Sequence, residues 1–149
     1  MRDDRGVSTP LNYTLSLAIA TVLVVGLLLA GGTFVEDQRE GAVDTELRVI
    51  GQRLAADIAT ADRMVQRGAP PSETNVTTRL PTRVAGSTYN IEVRTAGGNV
   101  TLRLTATEVD RSVIVPVANR TAVAATTISD NDVRVRYDPT ADQLEVIDA

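Results

Sequence analysis

Thirty consecutive residues, Gly6 to Val35, carry no charge. No other feature of this 149-residue chain constrains its folding as strongly. At 1.5 Å per residue, about 20 apolar residues in a helix cross a hydrocarbon core of roughly 30 Å. The stretch "LSLAIATVLVVGLLLAGGTFV" (Leu15–Val35) meets that requirement by itself. The alternative, a helix buried inside a water-soluble core, rarely runs so long without a polar face. The segment reads as a membrane helix. Arg2 and Arg5 precede it, and "EDQRE" (Glu36–Glu40) follows it. The positive-inside rule counts Lys and Arg rather than net charge, so Asp3 and Asp4 do not cancel the two arginines. The expected location is the cell membrane, crossed once, with the short amino end in the cytoplasm and the rest outside.

The length suits one ordinary domain plus an appendage. Much of the 43 % apolar content precedes Val35, and aromatics are only 3 % (Tyr13, Phe34, Tyr89, Tyr137). The remainder must therefore build a core of Val, Ile, Leu and Ala, thin for a free-standing domain. All 15 basic residues are Arg, the net charge is −4 and the pI is near 4.8. That balance argues against a nucleic-acid partner. Cys and His are absent. Disulfides, thiolate or imidazole metal sites, and Ser-His or Cys-His nucleophiles are thereby excluded.

Acidic side chains remain as ligand candidates. "SDND" (Ser129–Asp132), Asp138 and Asp142 offer oxygens to Ca²⁺, but none sits in a loop with the spacing and closing Glu of a calcium hand. Solvated turns are the better reading. "AGG" (Ala96–Gly98) lacks the lysine and helix of a phosphate loop. No catalytic, cofactor-binding or metal residue is singled out, and the chain does not read as an enzyme.

Three processing routes compete for the apolar segment. A Sec-type signal peptide would be cut after small residues, which Ala30 and Gly32 supply, but its apolar region is shorter, about 7–15 residues. A lipoprotein cut requires Cys. The third route is a cut before the apolar run. Here "RGVS" (Arg5–Ser8), followed by an uncharged helix, resembles the class III signal of archaeal type IV pilins and related filament subunits. Val7, Ser8 and Pro10 resemble the haloarchaeal opening "VSPVIGVILM", with the proline one place late; Asn12 and Tyr13 depart from it. Leu11 stands where bacterial pilins carry an acidic residue, as archaeal members commonly allow. The Lys-free acidic composition also resembles that of proteins from salt-loving archaea.

The resemblance covers the first 35 residues in motif and the whole chain in layout. It implies that a prepilin-type peptidase recognises Arg5 and Gly6 and cuts between Gly6 and Val7. It also implies membrane lipid and other pilin-like subunits as partners. The "LNYT" departure (Leu11–Thr14) points to a minor or accessory subunit. The alternative is an uncleaved, signal-anchored surface or binding protein that never polymerises. A membrane-anchored enzyme would need a concave cluster of carboxylates.

Beyond the membrane, Val43, Leu47, Ile50, Leu54, Ile58, Ala61 and Val65 recur every three or four residues, one apolar stripe of a helix. Asp44, Glu46, Arg48, Arg53, Asp57 and Arg63 lie between them as a solvated face. Gly68 and the Pro70-Pro71 pair stop the helix. The stripe would pack on the chain's own outer domain, on neighbouring subunits, or partly on each. The pattern then shifts to period two. Short Val/Thr-rich strands are expected over residues 75–84, 88–95, 99–109, 112–119, 122–129, 132–138 and 144–148. Ala96–Asn99 and Asp138–Gln143 read as hairpin turns, and Pro81 and Pro116 as edge or bulge positions. The fold class expected is α+β: a long membrane helix continuing into an amphipathic helix packed on a small antiparallel sheet, the pilin layout. Its segments are a leader (1–6), a transmembrane helix (7–35), a stalk helix (36–68) and an extracellular β domain (69–149).

Asn75, Asn99 and Asn119 each begin an Asn-x-Thr acceptor sequence, as does Asn12 at the membrane, where it is unusable. With six Asn, 19 Thr and six Ser in the chain, about one such sequence is expected by chance. Asn75, Asn99 and Asn119 are the candidate glycosylation sites; Thr placed only for strand propensity is the alternative.

Overall fold

The computed structural model describes residues 8–129 and 132–149. A single helix, α1 (Ser8–Gln66), precedes eight strands among the described residues. These are β1 (Asn75–Arg79), β2 (Tyr89–Ala96), β3 (Asn99–Ala106), β4 (Arg111–Val117), β5 (Ala122–Val123), β6 (Thr126–Ile128), β7 (Asp132–Asp138) and β8 (Gln143–Asp148). The class is α+β. Two compact units are present, one ending at Arg39 and the other spanning Glu40–Ala149.

In the first unit every described side chain from 12 to 39 is exposed. Thirteen large apolar side chains between Tyr13 and Val35 are among them. At about 1.5–3 kcal/mol each, keeping them in water costs on the order of 20 kcal/mol or more. That exceeds the whole stability of a typical domain, about 5–15 kcal/mol. The helix is long and apolar enough to cross a membrane.

In the second unit the expected stripe is the core. Val43, Leu47, Ile50, Leu54, Ile58 and Ala61 are buried, and Val65 packs against them. Gly51 lies between them because nothing larger fits. A Cβ there would stand 2.7 Å from Val115 Cγ2 and 2.9 Å from Leu104 Cδ1. The helix backbone thus rests directly on β3 and β4. Its end is a Schellman motif: Gly68 is left-handed (φ +77°), its N–H donates to Val65 O (2.9 Å), and Ala69 N–H donates to Met64 O (3.0 Å).

The expected single antiparallel sheet is in fact two, of four strands each among the described residues, ordered β1-β7-β8-β5 and β4-β3-β2-β6. The run Ala122–Ser129 makes the difference. It is not one strand: β5 pairs with β8 in one sheet, and β6 pairs with β2 in the other. The change of sheet occurs at Ala124 and Ala125, whose small side chains obstruct neither, and Ala124 N–H still donates to Leu144 O at 2.8 Å. The β5–β8 pair is parallel, the others antiparallel. The inward residues of both sheets and the helix stripe form one hydrophobic cluster, including Leu102, Leu104, Val113, Val115, Val133, Val135, Leu144 and Val146.

Strand ends also differ from expectation. The first strand stops at Arg79 rather than Val84, and Val84 makes only an isolated bridge with Ser87. Pro81, lacking an N–H, lies just beyond the break. Pro116 sits on β4, an edge strand, as a residue without a donor should. Both hairpins form: Ala96 pairs with Asn99 across Gly97 and Gly98, each at positive φ, and Asp138 pairs with Gln143.

Candidate functional site: the amino-terminal helix and the loops it anchors

The helix has two chemically different parts. In the apolar part the polar side chains are satisfied within the helix. Thr21 Oγ1 donates to Leu17 O at 2.8 Å, and Thr33 Oγ1 to Ala30 O at 3.0 Å. A hydroxyl returned to its own helix can enter hydrocarbon without an orphaned donor. Gly26, Gly31, Gly32 and Gly41 differ from Gly51, because a Cβ at any of them would meet nothing within 4 Å. Each costs helix stability of about 1 kcal/mol relative to Ala, and contacts among the described residues do not offset it.

In the buried part, side chains flanking the stripe reach distant loops. Glu40 pairs with Arg111. Glu46 Oε2 accepts from Ala85 N–H (2.8 Å), where the backbone is left-handed (φ 43°). Asp57 Oδ2 accepts from the Thr78 hydroxyl at 2.6 Å. Asp62, 6 % exposed, accepts from the backbone N–H of Thr121 (2.8 Å) and Arg120 (3.2 Å). Gln66 Nε2 donates to Thr121 Oγ1 at 3.2 Å. Burial opposes ionisation of Asp62, but hydrogen bonds from Thr121 and Arg120, with the Arg120 charge, outweigh it and hold the carboxyl below its ordinary value. Glu46 and Asp57, expected on a solvated face, are thus loop anchors. Spacing on the helix shows which way such side chains point, but their partners lie 21 to 59 positions away.

Carboxylates considered as cation ligands are used structurally. Asp132 pairs with Arg79 (2.8 Å). Asp138 accepts from Thr140 N–H (2.8 Å), and Asp142 from the Tyr137 hydroxyl (2.7 Å). Residues 130 and 131 of "SDND" lie outside the described residues. Among the described residues no group of three acidic side chains is arranged to hold a metal ion. A shallow cleft of about 330 Å³ lies between Ala59, Asp62 and Arg63 on the helix and Ala118, Asn119 and Arg120. Its one carboxylate is already occupied by two backbone donors. Tyr89 is half-buried, its hydroxyl donates to Pro81 O (2.6 Å), and burial pushes its phenol up to about 12.

Of the residues singled out in the sequence, Arg5, Gly6 and Val7 lie outside the described residues. Asn75 and Asn99 are exposed, at the start of β1 and of β3. Asn119 is half-buried, and its Nδ2 donates to Thr121 O at 2.9 Å. The structure does not bring the three together.

Residues 2–147 match the model of a family of unknown function (DUF7266), and the chain belongs to that family. Neither the curated proteins nor the solved structures contain a match to it.

Proposed function

We propose that this member of a family without an assigned activity is a pilin-like, minor or accessory subunit of a type IV pilus-like surface filament. In this reading a prepilin-type peptidase cuts between Gly6 and Val7. The freed apolar helix then leaves lipid for a bundle of like helices, and Glu40–Ala149 faces the outside. The observation that carries the reading is α1 itself, one helix that is apolar and exposed before Val35 and half-embedded in a β unit after Glu40. An apolar surface of that size needs lipid or other helices around it. Gly26, Gly31 and Gly32, with no intrachain role, support close approach by other helices.

A test is recovery of the native protein in filaments sheared from the cell surface. The proposal expects it there together with other pilin-like chains. Complete retention in the membrane pellet favours the second reading, an uncleaved signal-anchored surface or binding protein. Asn12 and Tyr13, which break the haloarchaeal opening, are what speaks for that second reading.

A further inference from the structure

Three Asn-x-Thr acceptor sequences lie within Glu40–Ala149, and the fold treats them unequally. Glycan transfer requires the Asn amide nitrogen to be free as a nucleophile and the Thr hydroxyl two residues on to be within reach of the transferring enzyme. At Asn119 every part is engaged. Nδ2 donates to Thr121 O (2.9 Å), inside its own tripeptide. The Thr121 hydroxyl, on a residue 7 % exposed, accepts from Gln66. The N–H groups of Arg120 and Thr121 both point at Asp62. Four contacts would have to break before an enzyme could draw this tripeptide into an active site.

Asn75 and Asn99 are the opposite case. Both are exposed, and among the described residues neither side-chain amide makes a hydrogen bond. Thr77 is exposed and Thr101 half-exposed, so both hydroxyls are accessible. Asn75 opens β1, an edge strand of its sheet, and Asn99 closes the glycine turn between β2 and β3.

We infer that Asn75 and Asn99 are N-glycan acceptors and that the folded chain withholds Asn119. The inference rests on the proposed outward orientation of Glu40–Ala149. The co-substrate is a sugar activated as a lipid-linked phosphate or pyrophosphate. Asn Nδ2 attacks the anomeric carbon and gives up one amide proton. An N–C bond forms, the C–O bond breaks, and the lipid phosphate leaves with the electron pair. A glycan on Asn75 would also shield the unpaired edge of β1 from pairing with other strands.

The test uses the full chain expressed in a host that N-glycosylates its surface proteins. Glycopeptide mass spectrometry is applied to wild type, Asn75→Gln, Asn99→Gln and Asn119→Gln. The expected result is occupancy at Asn75 and Asn99, one mobility step lost with each of the first two variants, and none with Asn119→Gln. Bare Asn75 and Asn99, or a sugar on Asn119, overturns the inference. Because the chain has no Cys, Thr127→Cys at an exposed position reports orientation independently through a membrane-impermeant maleimide on intact cells. Labelling together with bare Asn75 and Asn99 overturns the glycan inference alone. Labelling only after lysis overturns the orientation, and the inference with it.

Discussion

The contrast between Gly51 and Gly41 turns the docking of α1 into a measurable difference. Both are helical, so replacing either by Ala removes the same backbone-entropy cost, about 1 kcal/mol in favour of the variant. At Gly41 a Cβ meets nothing within 4 Å, so the gain is realised in full. At Gly51 the new Cβ would lie 2.7 Å from Val115 Cγ2, a stiff β-branched side chain on β4, and 2.9 Å from Leu104 Cδ1. Relieving such contacts costs about 1–3 kcal/mol. Gly51→Ala should therefore be neutral to about 2 kcal/mol destabilised, Gly41→Ala stabilised by about 1 kcal/mol, and the two separated by about 1–3 kcal/mol. The assay is denaturant-dependent proteolysis of the full chain in detergent. Adding Val115→Ala to Gly51→Ala should recover stability relative to the sum of the single changes, since the two residues touch. A Gly51→Ala variant as stabilised as Gly41→Ala, or a cycle without coupling, would refute the packing of α1 on β3 and β4.

Further expectations concern the helix anchors, the phenol and the apolar segment. Asp62→Ala orphans the N–H groups of Arg120 and Thr121 and should cost about 1–3 kcal/mol, measured by the same proteolysis; a change below about 0.5 kcal/mol contradicts the anchoring role. Because the Asp62 carboxyl is held below its ordinary value, its contribution is present above the unfolded value and is lost as pH falls through the folded one. Acid titration of wild type against Asp62→Asn should thus show the wild type losing more stability below about pH 4. Tyr89, raised to about 12, favours the folded state while neutral, so stability should fall as pH rises above about 10, and Tyr89→Phe should blunt that fall. Gly26→Leu should leave the stability of Glu40–Ala149 unchanged yet lower recovery in sheared filaments, and unaltered recovery would argue against close helix approach there.

What the sequence made legible depended on how local the cause was. The uncharged run, the stripe from Val43 to Val65, the Gly68 stop and the two hairpins each follow from spacing or turn chemistry within a few residues. The division of Ala122–Ser129 between two sheets does not. Its alternation is continuous, and only the distant partners β8 and β2 pull it apart. The anchors Glu46, Asp57 and Asp62 were hidden for the same reason, since a carboxylate beside an apolar stripe looks solvated until a loop closes over it. Asn119 reads like Asn75 in the sequence and differs only because Asp62 and Gln66 hold the residues after it.

The account turns on what happens to the uncharged helix, and the amino terminus of the mature protein reports it most directly. Mass spectrometry of native, membrane-extracted protein should find a chain beginning at Val7, the product of a prepilin-type cut. A terminus that still carries Arg5 and Gly6 would contradict that processing and leave a signal anchor, and a chain beginning at Thr33 would mean the helix is discarded rather than assembled.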